Sequence, residues 1–270
     1  MKDIQATAKY ILEKTKFKPS TGIILGTGLG GLVKEIKIEH TLPYEEIPNF
    51  PVSTVEGHSG RLILGTLGGE KVIAMQGRFH YYEGYDMEQV IFPVRVMKLL
   101  GITRLFVSNA SGGVNPKFKV GDLMIITDHI NLFPENPLRG KNFSELGPRF
   151  PDMSEPYDPE MIRDAKAIAK KNKIKIQTGV YVGLQGPTLE TPAEYAYCRI
   201  IGGDTVGMST VPEVVAARHM DIPCFAISII TDLGVPGKIV KVTHKEIQEV
   251  AEEAEPKMTL LMKELIKSGI

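Results

Sequence analysis

Residues 24–31 read ILGTGLGG. Gly26, Gly28 and Gly31 stand in the G-x-G-x-x-G spacing of a dinucleotide-binding turn, behind a β-branched run that reads as a strand at 22–25. That fingerprint makes two further demands. The glycines must open a long helix, and an acid about 20 residues on must end the next strand to hold a ribose hydroxyl. Behind Gly31 comes LVKEIKIEHTLP, a short helix at best. The acids at the right distance, Glu45 and Glu46, sit in LPYEEIPNFP, where prolines oppose a core strand. Both demands fail. The loop keeps exposed backbone N–H groups and the hydroxyl of Thr27, so it reads as a plain structural turn or as a cradle for phosphate.

Outward from this loop, short runs rich in Ile and Val alternate with helical periodicity. Strands are expected near 22–25, 61–67, 70–76, 104–108, 122–127, 177–184, 204–208 and 222–230, and helices at 2–16, 86–100, 158–171, 192–201, 211–219 and 243–268. Gly68-Gly69 between two strand runs predicts a hairpin, and with it a mixed sheet. Pro93 inside an expected helix predicts a kink or break. Residues 131–159 carry prolines at 134, 137, 148, 151, 156 and 159 and little periodicity, which marks a linker or a working surface loop. Strands resume beyond it at similar spacing. The expectation is therefore one α/β domain over residues 1–270, a central mixed β-sheet flanked by helices with one excursion.

Composition narrows the function classes. With 270 residues and 43% hydrophobic content, the chain can bury a large core. Lys plus Arg equals Asp plus Glu at 32 each, so the overall field favours neither a nucleic-acid nor a membrane-surface partner. Cys198 and Cys224 are too few for a disulfide scaffold, as suits a reducing cytoplasm. The N-terminal stretch sets Ile4, Ala8, Ile11 and Leu12 on one helical face with charges between, unlike a signal peptide. No run approaches the ~20 apolar residues that span a bilayer. A soluble, cytoplasmic protein is expected.

Polar residues collect where strands end. EGHSGR carries His58 ahead of a strand, and QGRFHYYEGYD follows another with Arg78, His80, Tyr82 and Glu83. VSNASGGVNP presents Asn109 and small residues, and GLQGPTLETPAEY places Glu190 just before a helix. VGMSTVPEV supplies Met208, Ser209 and Thr210, and ISIITDLG supplies Asp232. Ligands of α/β sheets bind beyond strand ends, where such loops converge.

Taken together, GTGLG, GHSGRL, GRFHYYEGY, SNASGGVNPKFKVGDLMIITDHINL, NPLRG, GPTLETPAE and GMSTVPEV resemble the trimeric-type purine nucleoside phosphorylases, in order from residue 22 to about 232. The resemblance implies a cytosolic homotrimer acting in purine salvage. It implies reversible phosphorolysis of a purine nucleoside to free base and pentose 1-phosphate, with inorganic phosphate as co-substrate and without metal or organic cofactor.

Matching motifs assign Thr27, His58, Arg78, His80, the Ala110 backbone and Ser209 to phosphate, which wants cations and donors in a dry pocket. The planar fork of Arg78 can meet two oxygens at once. His58 also reads as a solvated loop histidine. Glu83 is expected to orient His80 from behind. For the sugar, the pattern points to Tyr82, Met208 and His244, with Phe150 reaching in from a neighbouring subunit. Met208 also suits plain core. Thr243 with Glu246 three residues on also makes the His244 region a helix cap.

For the base, Glu190 can accept from N1–H of a 6-oxopurine, a charged hydrogen bond contributing about 1.5–3 kcal/mol. Leu189, Val206 and Ala110 would line the base pocket, with Leu189 where the family often has an aromatic. Asp232 is the larger departure, since members restricted to 6-oxopurines usually carry asparagine there. Ionised, Asp232 has no donor for O6 but accepts from a 6-amino group; protonated, it accommodates a 6-oxo group. His80, Glu190 and Asp232 are thus the residues expected at the chemistry, and Asp232 points to acceptance of 6-aminopurines. The alternative is a methylthioadenosine phosphorylase of the same fold. A nicotinamide oxidoreductase and a purine-binding module without turnover are more distant readings.

Overall fold

A two-residue turn shows how the sheet begins. In the computed structural model, which describes residues 1–26, 29–52 and 59–269, Gly68 and Gly69 have φ of 62° and 99°. Two successive positive φ values make the tight turn whose twist matches antiparallel strands. It joins β3 (Arg61–Leu67) to β4 (Glu70–Gln76), as expected. β4 lies parallel to β1 (Thr21–Leu25), which lies parallel to β5 (Arg104–Gly113). The sheet is therefore mixed.

β2 (Lys37–Pro43) is a strand that the sequence reading missed, having expected a short helix at best over this stretch. It pairs with β3 alone, at the edge of the sheet, where Pro43 ends it without costing a ladder bond. A 3₁₀ turn at Gly30–Glu35 precedes it. Glu45 and Glu46 fall in a second 3₁₀ turn rather than at a strand end, so the dinucleotide fingerprint is not completed.

The other half of the sheet holds β6 (Leu123–Asn131), β7 (Ile176–Gly183), β8 (Thr205–Gly207) and β9 (Cys224–Leu233). Among the described residues nine strands run β2-β3-β4-β1-β5-β8-β7-β6-β9, and β9 pairs back onto β5 in parallel. β5, β8, β7, β6 and β9 thus close on themselves. The carboxyl ends of β5 and β9 meet the amino end of the antiparallel β8 at one rim of this ring.

Helices cover both faces. On one, α1 (Lys2–Thr15), α2 (Met87–Leu100) and α5 (Val211–His219) pack together. On the other lie α3 (Pro159–Lys171) and α6 (His244–Lys267), the latter burying Met258, Leu261, Met262, Leu265 and Ile266. Each such side chain contributes about 1.5–3 kcal/mol by leaving water. α4 (Pro192–Ile200) sits by β8 around a smaller cluster of Val114, Val182, Tyr195, Cys198 and Val206. Of the kink or break expected at Pro93, the break does not occur, for α2 runs from Met87 to Leu100 with Pro93 inside it. Asp86 caps it by accepting from the Gln89 N–H, and Pro93 itself is buried in the core. Between β6 and α3 the excursion carries neither strand nor helix.

Candidate active site

A cleft opens beside the carboxyl ends of β5 and β9, next to β8. Eleven sequence-predicted residues line it: Arg78, His80, Tyr82, Ala110, Leu189, Glu190, Val206, Met208, Ser209, Asp232 and His244. They come from six separate stretches of chain. Thr27 and His58 lie outside the described residues. Phe150 does not reach this cleft within the chain; it is 87% exposed and borders a separate groove on the excursion.

Arg78 stands two residues past β4 and is 2% exposed. Its Nη1 donates to Ser209 Oγ at 3.0 Å, and its Nε lies 3.0 Å from Glu213 Oε1. A guanidinium buried this far from water is tolerable only with such an anion beside it. Glu213, on the first turn of α5, carries no sign of this pairing in the sequence. A Glu just behind Thr-Val-Pro reads as a helix-dipole residue.

Ser209 is fixed from several sides. Its backbone N–H donates to Tyr181 Oη at 3.2 Å, and its hydroxyl is 3.2 Å from Thr210 Oγ1. Thr210 holds φ at +69°, a strained conformation for a β-branched residue, at the head of α5. Asn109 Nδ2 donates to Thr210 Oγ1 at 2.8 Å, while Asn109 Oδ1 accepts from Ser228 Oγ at 2.6 Å. A buried polar chain thus runs from β9 through β5 to Arg78. Ser111, at the same end of β5, is buried and its Oγ has no hydrogen-bond partner among the described residues.

His80 is buried, and Glu83 Oε1 accepts from its backbone N–H at 2.7 Å and faces its Nδ1 at 3.0 Å. Burial holds the imidazole below its ordinary pKa, against the opposing pull of Glu83. With the Glu83 carboxylate accepting, the ring hydrogen sits on Nδ1 and Nε2 is an acceptor. The ring stacks on Tyr82 at 4.7 Å. Glu83 therefore stands behind His80 in the manner expected. His244 opens α6, whose Thr243 hydroxyl accepts from the Glu246 N–H at 3.2 Å, so this stretch is both a helix cap and a wall of the cleft.

Two carboxyl groups face the opposite part of the cleft. Burial raises the pKa of both Glu190 and Asp232. Thr231 donates to Asp232 Oδ1 at 3.0 Å, and Tyr195 donates to Asp232 Oδ2 at 3.3 Å. Tyr195, on α4, was not singled out from the sequence; an aromatic in a helix reads as core, and nothing local tells of an acid on β9.

One end of the cleft thus offers a buried cation with hydroxyl and imidazole groups, and the other offers carboxyl groups among apolar walls. Such a pairing binds an oxyanion beside a nitrogen heterocycle. The chain belongs to the Phosphorylase superfamily, whose profile matches residues 20–267. It is 52% identical over 267 residues to purine nucleoside phosphorylase 1 of Bacillus subtilis (strain 168), covering 98% of each chain. The crystal structure of Schistosoma mansoni purine nucleoside phosphorylase in complex with adenosine superposes with a TM-score of 0.94 at 43% identity, covering 99% of this chain and 97% of that one. The same protein in complex with inosine gives 0.93 at 42% identity, covering 99% and 96%.

Proposed function

We infer that the chain catalyses reversible phosphorolysis of purine ribo- and deoxyribonucleosides, releasing the free base and (deoxy)ribose 1-phosphate. The observation that carries this reading is the placement of Arg78, Ser209 and His80 in one cleft with Glu190 and Asp232. The relatives named above support the nucleoside reading over the methylthioadenosine one. Phosphate is a substrate here, and the reaction needs neither metal nor organic cofactor, because Arg78 supplies the positive charge.

In this mechanism Arg78 and Ser209 grip phosphate oxygens. His80, with its hydrogen on Nδ1, accepts at Nε2 from the P–OH of a phosphate dianion and keeps its unprotonated oxygens toward the sugar. Ala110 contributes its backbone, and Thr27 and His58 are assigned to phosphate by the motifs that carry the resemblance. Tyr82, Met208 and His244 hold the sugar, and Phe150 of a neighbouring copy closes over it in a homotrimer. As the glycosidic bond lengthens, positive charge grows at C1′ and negative charge on the purine; the phosphate and the base-side donors stabilise each in turn. Glu190 and Asp232 hold the base against Leu189 and Val206, and Asp232 delivers or receives the proton at N7. Its second oxygen admits a 6-amino group. The cytoplasm is the proposed site of action.

Product analysis with inosine, guanosine, adenosine and methylthioadenosine, each with and without phosphate, tests the reading. Release of free base from the ordinary nucleosides that depends on phosphate is expected. Absence of phosphate-dependent release overturns it.

A further inference from the structure

A serine hydroxyl can turn either its hydrogen or a lone pair toward an anion. For Ser209 the choice is made three side chains away. Asn109 on β5 stands opposite Ser228 on β9 in their parallel ladder. Ser228 is 0% exposed and is not among the residues that line the cleft. Its Oγ lies 2.6 Å from the Asn109 amide, whose other arm lies 2.8 Å from Thr210 Oγ1. Bonds of the O–H···O kind span about 2.5–3.0 Å, whereas N–H···O bonds begin near about 2.7 Å. The 2.6 Å contact is therefore Ser228 donating to Asn109 Oδ1, and the 2.8 Å contact is Asn109 Nδ2 donating to Thr210.

From Thr210 the direction carries forward. Thr210 is 0% exposed, and the other hydrogen-bond neighbour of its hydroxyl among the described residues is Ser209 Oγ at 3.2 Å. With Asn109 already donating to it, Thr210 keeps its own hydrogen paired by donating to Ser209; the reverse would leave a buried donor without an acceptor. Ser209 Oγ also accepts from Arg78 Nη1 at 3.0 Å, so both its lone pairs are taken. Tyr181 Oη stands 3.5 Å away and already accepts from the Ser209 backbone N–H. The Ser209 hydrogen is left for the cleft, which this residue lines.

We propose that Ser228, outside the cleft, is a positioning residue for phosphate: a one-way relay of donors from Ser228 through Asn109 and Thr210 turns the Ser209 hydrogen toward the anion. This deepens the function proposed above and rests on its phosphate subsite. The unprotonated oxygens of a phosphate dianion carry only lone pairs, so a donor attracts them and another lone pair repels them. Removing the Ser228 hydroxyl leaves Asn109 Oδ1 without its donor. The amide then turns over to accept from Thr210, Thr210 accepts from Ser209, and a Ser209 lone pair faces the anion. Hydroxyls and one amide rotate; no proton leaves its heavy atom.

The experiment measures KM for phosphate and for inosine, and the Kd of inorganic phosphate by calorimetry, in wild type, Ser228→Ala, Thr210→Val and the double variant. Thermal melting follows folding. Ser228→Ala is expected to raise KM and Kd for phosphate by about tenfold or more, the loss of one hydrogen bond to a charged group. KM for inosine at saturating phosphate changes far less. Thr210→Val cuts the same relay nearer its end, so Ser228→Ala added to it brings no further loss of phosphate affinity, and the double-mutant cycle reads that coupling. Neutron diffraction from wild-type crystals with phosphate, in deuterated solvent, needs no variant. It is expected to show the Ser209 deuterium on a phosphate oxygen and the Thr210 deuterium toward Ser209. Unchanged phosphate affinity in a folded Ser228→Ala overturns the proposal. So do losses that add in full in the double variant, equal rises in KM for phosphate and inosine, or a Ser209 deuterium that points at Thr210. Each of these leaves phosphorolysis standing. Should wild type bind phosphate yet release no base with it, the phosphorolysis reading falls, while calorimetry and the deuterium positions still decide the relay.

Discussion

Arg78 Nε lies 3.0 Å from Glu213 Oε1, and neither side chain is more than 4% exposed. The pair sets the direction of the guanidinium while Nη1 reaches Ser209. Replacing Glu213 with Gln keeps the size but removes the compensating charge. Breaking a buried pair from one side costs about 3–5 kcal/mol, so Glu213→Gln is expected to lower the melting temperature visibly. It should also raise KM for phosphate at least tenfold, with a smaller change in KM for the nucleoside. Equal changes in both constants would show that Glu213 does not act through the phosphate subsite.

Thr210 pairs strain with a bond. Its φ of +69° is held by the hydrogen bond from Asn109. Thr210→Val keeps the shape and deletes the acceptor, which leaves a buried Asn109 donor unpaired at a cost of about 1–3 kcal/mol. Thr210→Ser keeps the hydroxyl and relieves branching at a positive φ. The expected order of stability is Ser equal to or above wild type and Val below both, read from urea unfolding midpoints. Phosphate affinity should follow the same order, since Ser209 is the next residue.

The glycines at 26 and 31 show what the sequence conveys and what it hides. Their spacing was readable, but the reasons for it were not. An added Cβ on Gly26 would lie 2.9 Å from the Ser108 carbonyl oxygen and 3.0 Å from Asn109 Cα, so the end of β1 sits against the backbone of β5. The Gly31 N–H donates to Glu255 on α6. Both contacts are far apart in sequence and leave no local trace. Gly26→Ala is expected to destabilise the fold by about 1–3 kcal/mol through overpacking, and differential scanning calorimetry would detect it.

Strands rich in Ile and Val, capped helices and polar strand ends were legible because each obeys a local rule. β2 was not, because KIEHTLP is a mostly exposed edge strand with no apolar face to give it away. Arg78 and Ser209, 131 residues apart, were placed together only by resemblance, and Glu213 and Tyr195 not at all. Partnerships made by tertiary packing have no period.

Histidine burial sets the acid side of stability. His80 and His129 are both held below the ordinary pKa by desolvation, and His129 Nδ1 lies 3.1 Å from the Tyr157 hydroxyl. An unfolded histidine titrates near about 6.5. Below that pH the unfolded chain takes up protons that the folded chain refuses. Stability is thus fully present above about 6.5 and is lost as pH falls toward the folded values. His129→Gln is expected to flatten the decline between pH 6.5 and 5 by at most one proton, about 1.4 kcal/mol per pH unit. An unaltered slope would show that His129 is not held neutral.

Asp232 acts with the opposite sign. Its pKa is raised by burial, so the fold favours the protonated form. The stability it contributes is present at acid pH and is lost as pH rises through the folded pKa; above that pKa the molecule carries the full cost of a buried carboxylate. Asp232→Asn removes that cost while its amide can keep both hydrogen bonds, accepting from Tyr195 and donating to Thr231. The variant is therefore expected to melt higher than wild type at pH 8, by an amount that shrinks toward pH 4. Its amide also restores a donor for O6, so the inosine-to-adenosine ratio of kcat/KM should rise by about 10²-fold or more. A gain in melting temperature without that change in ratio would place Asp232 outside base selection. A change in ratio without the gain would show that the carboxyl is already protonated at pH 8.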